Sequence, residues 1–302
     1  MVLVLGREQL SIEFVNQALS GNRRSLAKLL SSIENGELDS NSIGLDGHDD
    51  DGTIIGITGA PGVGKSSLIE KLISHWSTQG LKIAVIAVDP SSPLSGGALL
   101  GDRIRMDSAD SNSNVFVRSF ATRNQPGGLP KSVGLAANVM RKCGYDLVLI
   151  ETVGAGQSEI RIVSFADRVV LIESPNSGDQ IQAEKAGIME IADLIVVNKS
   201  DLPNAERSAM QITSALQISG SPTCVLLASA KTGEGVEELA SQLLSIPIKM
   251  GAEVARARER LLAAWASSLL SREDISKIIN DISSGEVDAE KWVLNNLRWY
   301  DE

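Results

Sequence analysis

The sequence predicts an α/β protein: a mostly parallel sheet flanked by helices on both faces, with further helices before and after it. Between residue 53 and about residue 246, short apolar runs alternate with segments of helical periodicity. Runs that are apolar at nearly every position are typical of strands in a parallel sheet with both faces buried. The seven runs are 53–58, 82–88, 114–118, 146–150, 168–172, 193–197 and 223–228. Because such sheets bind ligands at the carboxyl ends of their strands, we expect the polar segments that follow the runs to form the functional site.

Helical patterns outside the sheet region divide the chain into three expected parts. Residues 1–48 are expected to form an N-terminal helical extension, in which Asn22 can cap a helix and Gly36 can end it. Residues 49–248 are expected to form the sheet domain, and residues 249–302 return to helix only. This C-terminal extension either packs on the domain or serves as an arm for dimerisation or for a partner protein.

Composition argues against several classes of protein. The 302 residues carry a net charge of −10 at pH 7, which argues against a nucleic-acid-binding surface. No apolar run reaches the roughly 18 residues of a membrane-spanning helix, and the N-terminus lacks the basic start of a signal peptide. Cys143 and Cys224 are isolated and form no disulfide framework. We therefore expect a cytoplasmic protein that binds neither nucleic acid nor a membrane.

A glycine-rich loop between the first run and a helical segment carries the strongest signal. Its spacing, G-x-x-x-x-G-K-[ST], is that of the phosphate-binding loop of P-loop NTPases, whose glycines let backbone N–H groups approach phosphate oxygens. The N-terminus of the following helix adds partial positive charge. Lys65 is expected to reach the β- and γ-phosphates and assist catalysis, and Ser66 is expected to bind Mg²⁺. The predicted phosphate-binding residues are Gly59, Ala60, Pro61, Gly62, Val63, Gly64, Lys65, Ser66 and Ser67.

Two polar segments after later runs indicate which nucleotide is bound. Asn198, Lys199 and Asp201 form an N-K-x-D element, in which the Asp201 carboxylate can accept hydrogen bonds from guanine N1–H and the exocyclic amine. Adenine offers no matching pair of donors, so GTP and GDP should bind several orders of magnitude more tightly than ATP. Asn198 should either bind the base edge or tie loops together. A second base loop, in which a backbone N–H contacts guanine O6, is expected at Ser229, Ala230 and Lys231.

Carboxylates at two further strand ends are candidates for a magnesium site. Asp89 and Glu151 follow the second and fourth runs, and hard oxygen ligands of this kind suit Mg²⁺. Asp102 is a third candidate ligand, although with Arg103 it can equally form a surface ion pair. Glu151 is also a candidate catalytic residue, and Gln157 is a candidate for positioning the attacking water. No arginine is identifiable as an inserted charge at the γ-phosphate, so hydrolysis by the chain alone should be slow.

Longer stretches around these motifs resemble the MeaB/MMAA family of GTPases. The similarity covers roughly residues 7–270 and is most specific at 88–106, 151–159 and 178–201. The resemblance implies a homodimeric GTPase chaperone of an adenosylcobalamin-dependent acyl-CoA mutase, chiefly methylmalonyl-CoA mutase. In that family, GTP use gates cofactor loading and protects the mutase.

The same resemblance implies that the segment matching 174–190 is a switch that signals to the mutase. Asp179 and Lys185 are its candidate signalling residues. The sequence departs from the family at 122–129, where Arg-Gly and a His-Leu-Gly-Gly-Leu run are usual, and at 175–179, where Pro-Gly-x-Gly-Asp is usual. These departures bear on the choice of partner and the mode of dimerisation, while the GTPase core is intact.

Three other functions are weighed against this one. A metallochaperone GTPase of the nickel-insertion kind shares the fold but tends to carry clusters of Cys or His, whereas this chain has only His48 and His75. The N-K-x-D element argues against a P-loop kinase. The presence of Lys65, Ser66 and Glu151 argues against a binding module that never turns its nucleotide over.

Overall fold

The computed structural model divides the chain into two compact units, Met1–Glu259 and Arg260–Glu302. The first unit contains the sheet, and the described part of the second unit is mainly helical. The residues that the structure describes are 14–38, 43, 52–89, 112–121, 131–152, 161–175, 186–246, 252–270, 272 and 274–296.

Seven parallel strands form the sheet of the first unit. They are β1 (Thr53–Thr58), β2 (Ile83–Asp89), β3 (Val115–Ala121), β4 (Leu147–Glu151), β5 (Arg168–Glu173), β6 (Leu194–Val197) and β7 (Cys224–Leu227). Their order across the sheet is β3-β2-β4-β1-β5-β6-β7, and all neighbouring pairs are parallel. Each of the seven predicted runs is a strand, which confirms the α/β fold, although β3 continues to Ala121 instead of ending at 118. The loop after β1 leaves the middle of the sheet, beside the end of β4.

Helices flank this sheet and continue beyond it. They are α1 (Arg23–Glu34), α2 (Lys65–Thr78), α3 (Lys131–Lys142), α4 (Ala186–Ile191), α5 (Ala205–Ile218), α6 (Val236–Ser245), α7 (Ala252–Leu270), α8 (Ile275–Ser283) and α9 (Ala289–Asn296). Residues 14–19 are also helical, and Ile162–Ser164 form a 3₁₀ turn. Within the described ranges, no helix is both long and apolar enough to cross a membrane.

Successive strand residues face two separate hydrophobic cores, one on each side of the sheet. Ile54 and Val148 belong to the core covered by α1, α3 and α5, whereas Ile55 and Leu149 belong to the core covered by α2 and α6. Trp76 of α2 is fully buried in the second core. Burying one such side chain contributes about 1.5–3 kcal/mol, so the strand ends that carry the polar motifs are held by well-packed elements.

The N-terminal helix α1 is built into the first core. The Asn22 side chain accepts hydrogen bonds from the backbone N–H groups of Arg24 and Ser25, both at 3.1 Å, which confirms the predicted N-cap. At the other end Gly36 has φ of +73°, and its N–H donates to the Ile33 carbonyl at 3.1 Å. The buried face consists of Ser25, Leu26, Leu29, Leu30 and Ile33.

Three aspartates, which sequence analysis did not single out, fix the amino ends of the strands. Asp146, Asp167 and Asp193 each stand one position before a strand, and each carboxylate accepts a backbone N–H at the start of the neighbouring strand. The donors are Lys82 at 2.7 Å, Ile54 at 2.8 Å and Val169 at 2.8 Å, in that order. These bonds satisfy N–H groups at strand starts and hold the strands in register.

Replacing Asp193 by alanine is expected to lower the free energy of unfolding by about 1–3 kcal/mol, the cost of an unsatisfied buried N–H group. The reason is that Asp193 is 4 % exposed, so water cannot easily reach the Val169 N–H in its place. Asp146→Ala is the matched control, because it removes the same kind of bond at an exposed residue and should cost less than about 1 kcal/mol. Urea unfolding followed by circular dichroism measures both losses, and equal losses would contradict this explanation.

Candidate nucleotide-binding site

The glycine-rich loop joins the end of β1 to the start of α2, as the strand–loop–helix pattern predicts. Gly59 has φ of +143°, and a Cβ built there would lie 2.1 Å from the Ile172 carbonyl oxygen. Gly64 has φ of +95° and precedes the first residue of α2, and its Cβ would lie 2.4 Å from Asn198 Nδ2. Both positions therefore require glycine, and the second brings the loop against the N-K-x-D segment.

Lys65 lies at the first position of α2 and is buried, with 7 % exposure. Its Nζ donates to the Gly59 carbonyl oxygen at 2.8 Å and to the Ala60 carbonyl oxygen at 3.2 Å. The ammonium is thus held inside the curve of the loop. The first N–H groups of a helix have no partners within the helix, and here they stand beside this cation. Together they form a site suited to an anion such as phosphate.

Ser66 and Glu151 bring two oxygen donors together beside the loop. Ser66 Oγ donates to Glu151 Oε1 at 2.7 Å, and the Glu151 carboxylate at the end of β4 is 6 % exposed. Asp89 ends β2, the strand on the far side of β4 from β1, and is half-buried. Two of the three carboxylates predicted as metal ligands, Asp89 and Glu151, therefore lie at the same edge of the sheet as the loop.

This donor set fits a hard cation such as Mg²⁺, which binds oxygen ligands and keeps several waters. Within the described ranges, no group of three or more His, Cys, Asp and Glu side chains is arranged to hold a metal ion by itself. A magnesium ion here would take the Ser66 hydroxyl, a carboxylate, phosphate oxygens and water. Ser66 and Glu151 would be its nearest protein ligands, with Asp89 at the end of the neighbouring strand β2.

Asn198 ties the phosphate loop to the second base loop. Its Nδ2 donates to the Val63 carbonyl oxygen at 2.8 Å, and its Oδ1 accepts the Ala230 backbone N–H at 3.1 Å. Asn198 is 1 % exposed, so of the two roles considered from the sequence, the structure favours the tie between loops. Lys199 adds a second link, because its Nζ donates to the Gly62 carbonyl oxygen at 2.7 Å.

Asp201 is held as a charged acceptor by the loop after β7. Ser229 Oγ donates to Asp201 Oδ1 at 2.6 Å, and Lys231 Nζ lies 3.8 Å from Oδ2. The Ser229 hydrogen bond is the main reason that the pKa of Asp201 is lowered, with a smaller contribution from the charge of Lys231. The carboxylate therefore stays ionised at neutral pH, as a reader of two guanine N–H groups must be. Sequence reasoning assigned Ser229 only a place in the second base loop and missed this bond.

A second positioning pair also escaped sequence reasoning. Thr152 Oγ1 donates to Thr58 Oγ1 at 3.0 Å, and both residues are buried. Thr58 precedes the glycine-rich loop and Thr152 follows Glu151, so this bond joins the two strand ends that carry the predicted phosphate-binding and metal-binding residues. Of the remaining predicted site residues, Pro61 and Ser67 lie in the loop and in the first turn of α2. Four predicted residues lie outside the described residues: Asp102, Gln157, Asp179 and Lys185.

Comparisons with a family model and with individual relatives agree on one family of GTPases. The family model described as "Methylmalonyl Co-A mutase-associated GTPase MeaB" matches residues 43–282. The chain is 44 % identical over 239 residues to the Pyrococcus horikoshii protein named "Putative GTPase PH0274", covering 75 % of this chain and 74 % of that protein. It is 37 % identical over 226 residues to the mouse "Methylmalonic aciduria type A homolog, mitochondrial", covering 72 % of this chain and 54 % of the mouse protein.

A solved structure supports the fold independently. The protein described as "Crystal structure of LAO/AO transport system kinase" superimposes with a TM-score of 0.66 at 22 % identity, covering 94 % of this chain and 95 % of that one. At that identity the similarity shows the fold alone. The family match spans the phosphate loop, both strand-end carboxylates and both base loops, so it shows membership of the family as well as the fold. The chain belongs to the MeaB family of P-loop GTPases.

Proposed function

We propose that this GTPase is a chaperone of an adenosylcobalamin-dependent acyl-CoA mutase of the methylmalonyl-CoA mutase type. In this proposal, GTP binding and hydrolysis gate the loading of the cofactor and protect the mutase. The observation that carries it is the family match, whose description names association with methylmalonyl-CoA mutase and whose extent covers residues 43–282. The name of the mouse relative, which refers to methylmalonic aciduria, points to the same metabolism.

The proposed chemistry follows from the geometry of the site. Lys65 and the start of α2 bind the phosphates, and Asp201 reads guanine while Ser229 holds it in place. Ser66, Glu151 and Asp89 would hold Mg²⁺, directly or through water, and the ion would neutralise charge on the phosphate oxygens. Water attacks the γ-phosphorus, the bond to the β-phosphate oxygen breaks, and GDP and phosphate leave. Gln157 is proposed to orient that water.

The proposed link to the mutase is the segment between β5 and α4, which carries Asp179 and Lys185. Residues on either side of this segment are bound to the core. The Pro175 carbonyl oxygen accepts the Ser208 hydroxyl of α5 at 3.2 Å, and Ile188 of α4 is 1 % exposed. The described residues that flank the segment are therefore joined to the core beside the nucleotide site, and this supports a signalling role for the segment.

A homodimer is part of this proposal, with the C-terminal helices as the contact. Two large apolar side chains of α7, Leu261 and Trp265, are 71 % and 43 % exposed. Exposed apolar side chains of this kind are candidates for a contact with a second copy of the chain.

GTP hydrolysis by the purified chain, alone and with the mutase of the same organism, tests the proposal. The chain alone should turn over on the order of 10⁻⁴ to 10⁻² s⁻¹, as unaided GTPases do, because no sequence motif marks an arginine for insertion at the γ-phosphate. The mutase should raise that rate about tenfold or more. Asp179→Ala and Lys185→Ala should keep the basal rate and lose the stimulation.

A basal rate that no such mutase changes would contradict the partner while leaving the GTPase intact. A rate stimulated instead by a metal-loaded client protein would favour the metallochaperone alternative. Bovine serum albumin at the same concentration controls for nonspecific stabilisation of the enzyme.

A further inference from the structure

The helix α1 is bonded at both ends to the open edge of β3. Among the strands that the structure describes, β3 is the outermost on its side of the sheet and pairs with β2 alone. An edge strand of this kind presents backbone N–H and carbonyl groups that have no neighbouring strand. Side chains of α1 form hydrogen bonds with some of these backbone groups instead.

At the amino end of β3, the partner is Arg23, the first residue of α1. Its Nη1 donates to the Ser113 carbonyl oxygen at 2.7 Å, and its Nη2 donates to the Val115 carbonyl oxygen at 2.6 Å. The guanidinium also lies 5.3 Å from the centre of the Phe116 ring. This end of the strand is the end remote from the nucleotide site, because all seven strands are parallel and the site lies at their carboxyl ends.

At the carboxyl end, the partner is Glu34, the last residue of α1. Glu34 Oε1 accepts the Ala121 backbone N–H at 3.3 Å, and Oε2 accepts Arg118 Nη2 at 2.9 Å. The same Arg118 nitrogen donates to Ser31 Oγ at 3.1 Å. The Glu34 side chain is 12 % exposed, so this ion pair is partly buried and little screened by solvent.

The residue that Glu34 holds is the register partner of Asp89. In the β2–β3 ladder, Ala121 stands opposite Asp89, the last residue of β2. On its other side, β2 pairs with β4, which ends in Glu151. This second pairing ends at Ala87, which stands opposite Glu151, so Asp89 lies two positions beyond it. The described register partner of Asp89 is therefore Ala121, whose N–H is bound by the Glu34 carboxylate.

We propose that Glu34 is a positioning residue for the metal side of the nucleotide site, acting through the end of β3 on Asp89. This inference rests on the proposed function, in which Asp89 contributes to the magnesium site. It gives the N-terminal helix a part in nucleotide binding that neither the phosphate loop nor the base loops supply.

The test compares Glu34→Ala with Arg23→Ala, which removes the bonds of the same helix to the same strand at the remote end. Binding of a fluorescent GDP analogue is titrated with Mg²⁺ and with EDTA. Glu34→Ala should raise the Mg²⁺ concentration that gives half of the change in GDP affinity about tenfold, at the low end of the effect of outer-shell partners on metal affinity. Arg23→Ala should leave this Mg²⁺ concentration unchanged, and both variants should bind the GDP analogue in EDTA as the wild type does. Glu34→Gln, which keeps an acceptor for the Ala121 N–H, should fall between wild type and alanine.

The proposal would be overturned if Glu34→Ala and Arg23→Ala raised this Mg²⁺ concentration equally, or if neither variant changed it. Thermal unfolding of each variant is measured first. If an alanine variant does not fold, Glu34→Gln and Arg23→Lys carry the same comparison. Failure of the proposed function gives a different result, because a wild-type protein whose GDP affinity does not respond to Mg²⁺ would have no magnesium site for Glu34 to position.

Discussion

Replacing Lys65 by alanine is expected to weaken GTP and GDP binding about 100-fold or more. Two charge-assisted hydrogen bonds from the ammonium to phosphate oxygens, at about 1.5–3 kcal/mol each, are lost, and about 1.4 kcal/mol corresponds to a tenfold change. The ammonium is already held inside the loop by the carbonyls of Gly59 and Ala60, so the nucleotide need not order a flexible side chain. Titration with a fluorescent GDP analogue measures the loss directly.

Lys71→Ala is the matched control for this variant. Lys71 lies on the same helix α2 but is exposed, so its removal changes the net charge equally without touching the loop. Its affinity for GDP should stay within about twofold of wild type, because exposed charges are screened. If Lys65→Ala bound GDP as Lys71→Ala does, the loop would not be the phosphate site.

The second large effect is expected for Asp201→Asn. The variant should lose GDP affinity by about two orders of magnitude or more. The reason is that its side chain can no longer accept both guanine N–H groups, and unmatched polar groups in a binding site weaken binding strongly. The asparagine amide offers one acceptor and one donor where the carboxylate offered two acceptors. Xanthine carries an oxygen in place of the exocyclic amine, so xanthosine diphosphate should bind the variant better than GDP does.

Competition titrations with GDP and xanthosine diphosphate measure this change in preference. Since the Ser229 hydrogen bond keeps the pKa of Asp201 below its ordinary value, the wild-type carboxylate stays charged from about pH 8 to about pH 5.5. Wild-type preference for GDP should therefore be constant over that range. Glu206→Gln, an exposed change on α5, is the control. An Asp201→Asn variant that still prefers GDP would refute the assignment of the base reader.

Local signals in the sequence predicted much of the fold and the core of the site. The glycine spacing of the phosphate loop reflects backbone conformations that only glycine adopts easily, and φ of +143° at Gly59 shows that requirement. The apolar runs predicted all seven strands because strands buried on both faces need apolar side chains at nearly every position. The Asn22 cap is equally local, since it involves residues two and three positions away.

The contacts that sequence reasoning missed join residues far apart in the chain. Glu34 reaches Ala121, and Ser229 reaches Asp201, through pairings that depend on strand order and helix placement. Strand order has no local signature, so nothing in the sequence placed α1 at the edge of β3. For Asn198, both roles were compatible with the motif, and only the position of Val63 beside it distinguishes them.

The central claim, a guanine-specific site made by the phosphate loop and the N-K-x-D element, is tested most directly by one competition titration. A fluorescent GDP analogue is bound to the 302-residue protein with Mg²⁺ and displaced by GTP in one series and by ATP in the other. We predict that ATP requires a concentration about 1,000-fold higher or more, because adenine cannot donate to both oxygens of Asp201. Displacement by GTP and ATP at equal concentrations would contradict the account.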